Sequence, residues 1–143
     1  APFSLPLLVP ASPRPRVVRV PDEPRLAVAA VIEGDRGPLT VITAHLSFVP
    51  GCNVRQLRAI ARWTAGLPAP VVIAGDLNLP GSISRRAIRW RSLVRDATYP
   101  SFRPRVQFDH VLARGLPADA VSGARVHRLP VSDHCAVSVD LDV

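Results

Sequence analysis

Methionine and lysine are both missing from these 143 residues, cysteine occurs only twice, and aromatic residues amount to two Trp, one Tyr and four Phe. Each scarcity excludes something. Lacking methionine, the chain as written does not begin at a translation start, and it is expected to be a processed product or a fragment. Cys52 and Cys135 are too few for a disulfide framework and read as two ordinary thiols. A zinc site drawn from His45, Cys52, His134 and Cys135 would lack the close ligand pairs that such sites use. No apolar run approaches the ~20 residues of a membrane-spanning helix. The opening stretch from Ala1 to Pro10 is broken by Pro2, Pro6 and Pro10 and has no basic lead-in, so no signal peptide is present in the chain as given. Cytoplasmic residence is the favoured expectation.

What remains suits a single globular domain, since 48% of the residues are hydrophobic and the length allows a real core. The net charge is +7 and every basic residue is arginine. That balance suits an anionic partner such as nucleic acid, a phosphorylated lipid head group or a nucleotide, although a biased coding composition accounts for it equally well. Arg55, Arg58 and Arg62 share one face of an expected helix and read as a solvated surface. Arg85, Arg86, Arg89, Arg91, Arg95, Arg103 and Arg105 lie nearer the chemistry-bearing segments and are better placed for phosphate. Only Trp90, Tyr99 and Phe102 offer rings for base stacking there.

Seven of the sixteen prolines fall within residues 1–24, which read as a proline-rich connecting segment. Leu26 to Ile32 and Leu39 to Ala44 are short apolar runs separated by Gly34, Asp35, Arg36 and Gly37, and are expected to pair as a hairpin. A helix is expected from Asn53, with Gln56 completing a capping box, Val54, Leu57, Ile60, Ala61 and Thr64 as the buried stripe, and Gly66 with Pro68 as the stop. Val71 to Ala74 reads as a buried strand, and about Ser84 to Val94 as a second helical stretch. Val106 to Leu112 and Ala120 to Val126 read as strands, as does the alternating run that includes Val137, Val139, Leu141 and Val143. Hairpins mixed with strand-helix-strand units predict an α/β layered sandwich.

Four segments place polar groups at strand ends. Gly75-Asp76-Leu77-Asn78 follows a buried strand, and in extended backbone Asp76 and Asn78 would point together while Leu77 anchors the opposite face. Thr43-Ala44-His45-Leu46, Gln107-Phe108-Asp109-His110-Val111-Leu112 and Ser132-Asp133-His134 each put an ionisable group where an apolar or turn residue would be ordinary. Such groups must be satisfied, and a shared site at the ends of adjacent strands would satisfy them. For any one segment a hydrogen-bonded core or loop residue is the simpler explanation; the four together are harder to dismiss. A serine relay from Ser132, Asp133 and His134 is excluded because neighbours in the chain cannot form one, and no Gly-x-Ser-x-Gly turn is present.

In order, these four segments resemble the later motifs of the endonuclease/exonuclease/phosphatase superfamily, the DNase I-like group, over roughly Arg25 to Val143. The resemblance implies a carboxy-terminal part of such a domain over residues 25–143, and the hydrolysis of a phosphodiester, nuclease-like, by in-line attack of an activated water. By resemblance, Asp76 orients or deprotonates that water, and Asn78 holds a non-bridging phosphate oxygen. His134 touches the phosphate and Asp109 sets its tautomer and charge. Asp133, with Asp76, binds a divalent cation, and His45 is a second imidazole near the scissile bond. An oxygen-ligand site of this kind suits Mg²⁺ or Mn²⁺. Arg25, which the hairpin would set across from His45, is a candidate to neutralise phosphate or to form a structural ion pair.

The superfamily's earlier motifs, a strand bearing Asn and a Glu that ligates metal, are not found. Glu33 falls at the hairpin turn, about 20 Å from His45 at ~3.3 Å per residue, and Glu23 lies in the proline-rich segment with no motif around it. The isolated chain is therefore expected to be weakly active or inactive unless a preceding segment or a second copy fills the gap. Phosphomonoester hydrolysis and a non-catalytic basic module that binds phosphate or nucleic acid are the alternatives.

Overall fold

Residues 7–10 and 25–143 are described by a computed structural model of the chain. Its strands are β1 (Leu7–Pro10), β2 (Leu26–Gly34), β3 (Gly37–Ala44), β4 (Val71–Asp76), β5 (Arg91–Ser92), β6 (Asp109–Arg114), β7 (Val121–His127) and β8 (Ala136–Leu141). Two α-helices, α1 (Cys52–Trp63) and α2 (Ile83–Ile88), flank β4 in the chain. Six strands form one sheet in the order β1-β2-β3-β4-β6-β5, and β7 with β8 forms a second.

Period-two alternation in the central strands divides the core into two layers. Ile42 and Ala44 of β3, Val71 and Ile73 of β4, and Leu112 of β6 face the helices, where they pack with Leu57 and Ile60 of α1 and with Leu77, Leu79 and Trp90. Their neighbours Leu39, Val72, Val111 and Ala113 face the other way, against Val121, Val126, Val137, Val139 and Leu141 of the two-stranded sheet. The result is a helix–sheet–sheet sandwich, as the alternation of elements predicts. Fully burying Leu57 or Ile60 stabilises the helix-side contact by about 1.5–3 kcal/mol each. Among the described residues no helix is long and apolar enough to cross a membrane.

The hairpin forms as expected, with Gly34 opposite Gly37 and Asp35-Arg36 as the turn. Within the stretch read as a connector, Leu7–Pro10 pairs antiparallel with β2 as the outermost strand, a place where proline is tolerated. The rest of residues 1–24, including Glu23, lies outside the described residues.

Three local expectations are corrected. The first helix begins at Cys52 behind Gly51, and no side chain caps it. Asn53 and Gln56 instead reach out to loops: Asn53 Nδ2 donates to the Asn78 carbonyl at 2.8 Å, and Gln56 Oε1 accepts the Ser47 N–H at 2.8 Å. The second helix stops at Ile88, six residues short of Val94, because Arg89 turns left-handed (φ 59°) and Arg91–Ser92 joins the sheet beside β6. The strand expected from Val106 starts at Asp109; Val106 makes only an isolated bridge with Tyr99.

This topology positions the site. β3 and β4 run parallel and end at the same sheet edge, where β6, antiparallel to β4, begins. Asp76 and Asp109 are register partners across that ladder. Glycine is required just before Asp76, since Gly75 has φ 149° and an added Cβ would collide with the Ala44 carbonyl oxygen.

Candidate active site

Four of the expected side chains meet at this edge. His45 follows the end of β3, and its Nε2 lies 3.5 Å from Asp76 Oδ2. His134, in the loop before β8, places Nδ1 2.8 Å from Asp109 Oδ2 and 4.0 Å from Asp76 Oδ2. His45 is open to solvent, with 61% of its side chain exposed, whereas Asp76 (19%), Asp109 (18%) and His134 (25%) are largely covered. One carboxylate and two imidazoles gather around Asp76 Oδ2, which is reached from solvent on the His45 side.

The Asp76 carboxylate is oriented from behind. Asp76 Oδ1 accepts the N–H of Asn78 at 2.9 Å, which leaves Oδ2 facing the imidazoles. Asn78 is not in extended backbone as expected: β4 ends at Asp76, and Asn78 adopts φ 49°, a conformation that asparagine tolerates. Its Nδ2 donates to the Leu46 carbonyl at 2.9 Å, so one of its two amide hydrogens braces the His45 loop. The other is uncommitted by that bond. Leu77 is fully buried and anchors the turn, as expected.

The His134 imidazole is held in a tilted cluster with Tyr99 (ring centroids 5.0 Å apart) and Phe108 (6.5 Å). Burial disfavours its charged form. The hydrogen bond to Asp109, and then the charges of Asp109, Asp76 and Asp133, outweigh that, so its pKa is raised above the ordinary imidazole value. Because a carboxylate oxygen can only accept, Nδ1 carries the proton in the 2.8 Å bond, and Nε2 is the nitrogen left to meet a ligand.

The remaining expected residues stand around this group. Asp133 is exposed; its charge reaches His134, and its carbonyl accepts the Ser101 N–H at 2.6 Å. Arg25 is half-buried one residue before β2, at the edge where Ala27 pairs with Ala44, so it shares the His45 end of the hairpin. Glu33 is exposed opposite Pro38, at the far end of the same hairpin. Asp76, Asp109 and His134 each offer a ligand atom within 4.8 Å of the others, and Asp133 is not one of that trio. Cys52 and Cys135 are both free and buried.

Sequence reasoning missed the second layer of support. His110 is 1% exposed on the helix side of β6; Nε2 donates to the Leu79 carbonyl at 2.7 Å, and Nδ1 accepts the Ser84 hydroxyl at 3.1 Å. Burial, the largest influence, lowers its pKa against the raising effects of the Leu79 bond and of Asp109 and Asp76. Strand alternation could have separated this inward His110 from the site-facing Asp109. Thr98 is also fully buried, and its Oγ1 accepts the N–H groups of Phe108 (3.1 Å) and Asp109 (3.2 Å). No local pattern marks Thr98.

Known proteins place this geometry in context. The endonuclease/exonuclease/phosphatase family model matches residues 6–134. At the level of sequence, no curated protein matches the chain. Among solved structures, an endonuclease/exonuclease/phosphatase family protein from Leptotrichia buccalis is similar with a TM-score of 0.74 and 16% identity, over 99% of this chain and 62% of that one. TDP2 of D. rerio, complexed with a single-strand DNA product, is similar with a TM-score of 0.68 and 17% identity over 96% of this chain and 66% of its own. A mannosyl-6-phosphatase from Bacteroides thetaiotaomicron gives 0.66 and 14%, over 98% and 66%. The chain thus spans under two thirds of the length of these structures, and at such identities the likeness is one of fold. The α/β sandwich, the four motif segments gathered at one sheet edge and the match over nearly the whole chain lead to one assignment: this chain belongs to the endonuclease/exonuclease/phosphatase family.

Proposed function

We propose that the chain is a divalent-metal-dependent phosphoesterase that hydrolyses a phosphodiester by in-line attack of an activated water. The observation that supports this best is the convergence of His45, Asp76, Asp109 and His134, with Asp76 Oδ2 between two imidazoles. Family membership and the likeness to TDP2 with its DNA product and to a mannosyl-6-phosphatase support a phosphate ester as substrate, with nucleic acid a candidate.

The side chains fit a hard divalent cation. Asp76 keeps Oδ2 beside its bond to Asn78, Asp109 keeps Oδ1 beside its bond to His134, and Asp133 is the exposed carboxylate of the adjoining loop. One or two carboxylates completed by substrate phosphate and water are how Mg²⁺ is ordinarily held. Bound there, Mg²⁺ or Mn²⁺ supplies charge neutralisation at the phosphate.

The chain's own residues supply the rest. Asp76, fixed through Oδ1, keeps Oδ2 to align a water and take its proton. His134, whose charged form Asp109 favours, meets a phosphoryl oxygen through Nε2 and stabilises the charge that builds there. Asn78 offers its second amide hydrogen to a non-bridging oxygen, and Arg25 adds positive charge at the same edge. His45, open to solvent and 3.5 Å from Asp76, is the second imidazole beside the scissile bond.

Slow Mg²⁺- or Mn²⁺-dependent hydrolysis of bis(p-nitrophenyl) phosphate by the 143-residue chain is expected, with the rate abolished in Asp76→Ala and His134→Ala while both still unfold cooperatively. Equal rates in parent and variants would overturn the assignment. A second reading, a basic module that binds phosphate or nucleic acid without turnover, is favoured by one observation. Glu33, the sole glutamate among the described residues, stands at the far end of the hairpin from the site. Salt-sensitive oligonucleotide binding with no metal-dependent rate would select it.

A further inference from the structure

The 2.8 Å contact between Asp109 and His134 joins residues from two different sheets. Asp109 opens β6 of the six-stranded sheet, whereas His134 lies in the loop that leads into β8 of the two-stranded one. No backbone ladder joins β6 to β8, so strand pairing does not set the distance between the two side chains. Something else must hold it.

Thr98 touches both sides. Its Oγ1 accepts the N–H groups of Phe108 and Asp109, at 3.1 and 3.2 Å, which uses both lone pairs of the hydroxyl and fixes the backbone that carries the Asp109 carboxylate. Its carbonyl accepts the Cys135 N–H at 2.7 Å, which fixes the backbone one residue beyond His134. Its own N–H donates to the Val106 carbonyl at 2.9 Å and steadies the residue between them. Three positions further on, Ser101 donates its N–H to Asp133 (2.6 Å) and its hydroxyl to the Ser132 carbonyl (2.8 Å), gripping the loop just before His134. All of Thr98 is buried, so these bonds do not compete with water.

We propose that Thr98 is the positioning residue for the Asp109–His134 pair: its hydroxyl holds one partner and its carbonyl the other, and it sets the gap across which the proton of Nδ1 is shared. The role rests on the phosphoesterase reading for its purpose, but the geometry it controls is measurable without turnover. Thr98 touches no reacting group itself. It acts through the two residues that do.

Two substitutions separate this role from plain packing. Thr98→Val keeps the shape and removes the acceptor; Thr98→Ser keeps the acceptor and removes the methyl group. The readout is the downfield proton signal of the His134 Nδ1–H in NMR spectra of the metal-free chain, assigned by its disappearance in Asp109→Asn. The signal is expected in the parent and in Thr98→Ser, and is expected to be lost in Thr98→Val through exchange with solvent. In turnover of bis(p-nitrophenyl) phosphate, Thr98→Val should lower kcat by roughly 10- to 100-fold, with KM little changed, and Thr98→Ser should recover most of the loss. A Thr98→Val chain that keeps the signal, or a Thr98→Ser chain that loses it, would overturn the proposal. Should the valine variant fail to fold, amide exchange in the parent and serine chains decides it: Phe108, Asp109 and Cys135 are expected to be protected to the same degree in both, and selective loss at these three in Thr98→Ser refutes it. Absence of turnover in a parent that shows the signal would count against the phosphoesterase reading and leave the positioning role standing.

Discussion

Replacing Gly75 by alanine should be the most damaging single methyl addition near the site, and its size can be worked from the backbone alone. At φ 149° an L side chain is strained, and the new Cβ would meet the Ala44 carbonyl oxygen, with the Ala44 carbonyl carbon 3.1 Å and its nitrogen 3.3 Å away. These are main-chain atoms of β3, so no side-chain rotation relieves the clash. Overpacking of this kind costs about 1–3 kcal/mol, and the unfavourable φ adds about 1–3 kcal/mol more. A total of about 2–6 kcal/mol is a large share of a domain stability of about 5–15 kcal/mol. For a chain of this length it corresponds to a fall in Tm of about 7–20 °C. The relief available is for β3 and β4 to part at their ends, which carry His45 and Asp76, so the 3.5 Å gap between those side chains should widen as well. Thermal and urea unfolding of Gly75→Ala against the parent measures the first effect. A Tm within about 3 °C of the parent, less than the roughly 1 kcal/mol it would represent, would refute the argument from close approach.

Other perturbations test other parts of the framework. Asn53→Ala removes the donor to the Asn78 carbonyl and should cost about 1–3 kcal/mol, read as a lower urea midpoint with unchanged slope; a loss below about 0.5 kcal/mol would mean that the bond is not holding the turn. His110 has a native pKa below its unfolded value near 6.5, so the native chain resists a proton that the unfolded chain accepts. Stability linked to this residue is therefore complete above about pH 6.5 and declines as pH falls through and below it. His110→Gln should flatten the acid side of the stability curve relative to the parent, and equal slopes would contradict the assignment. Asp109→Asn removes the hydrogen bond and the nearby charge that favour the protonated form of His134, so the His134 pKa, followed by its ring proton shifts, should fall.

How much of this was legible in the sequence follows from how local each cause is. The β2–β3 hairpin, β4 and β8 were readable because short apolar runs, a Gly-flanked turn and, for β8, alternation are properties of a few adjacent residues. Asp76 and His45 were readable because each sits where an apolar strand ends, Asp109 because it is a carboxylate within an apolar stretch, and His134 because it stands just before the last strand. Asn53 and Gln56 misled because their spacing suits a capping box equally well, while their actual partners, Asn78 and Ser47, lie in other loops. The early end of α2 was hidden because nothing in the arginine-rich run around Arg89 announces a left-handed residue. Thr98 was invisible for the same reason in stronger form. Its significance lies wholly in which distant amides it meets.

Asp76 and Asp109 are direct partners on adjacent antiparallel strands, and two like charges so placed push the strands apart. His134 offsets part of that repulsion, and a doubly charged ion would offset more. Occupancy should therefore register as added thermal resistance, about 2.7 kcal/mol at a hundredfold excess over Kd, so titrating Mg²⁺ or Mn²⁺ while following the melt would report filling of the site in a chain that turns nothing over.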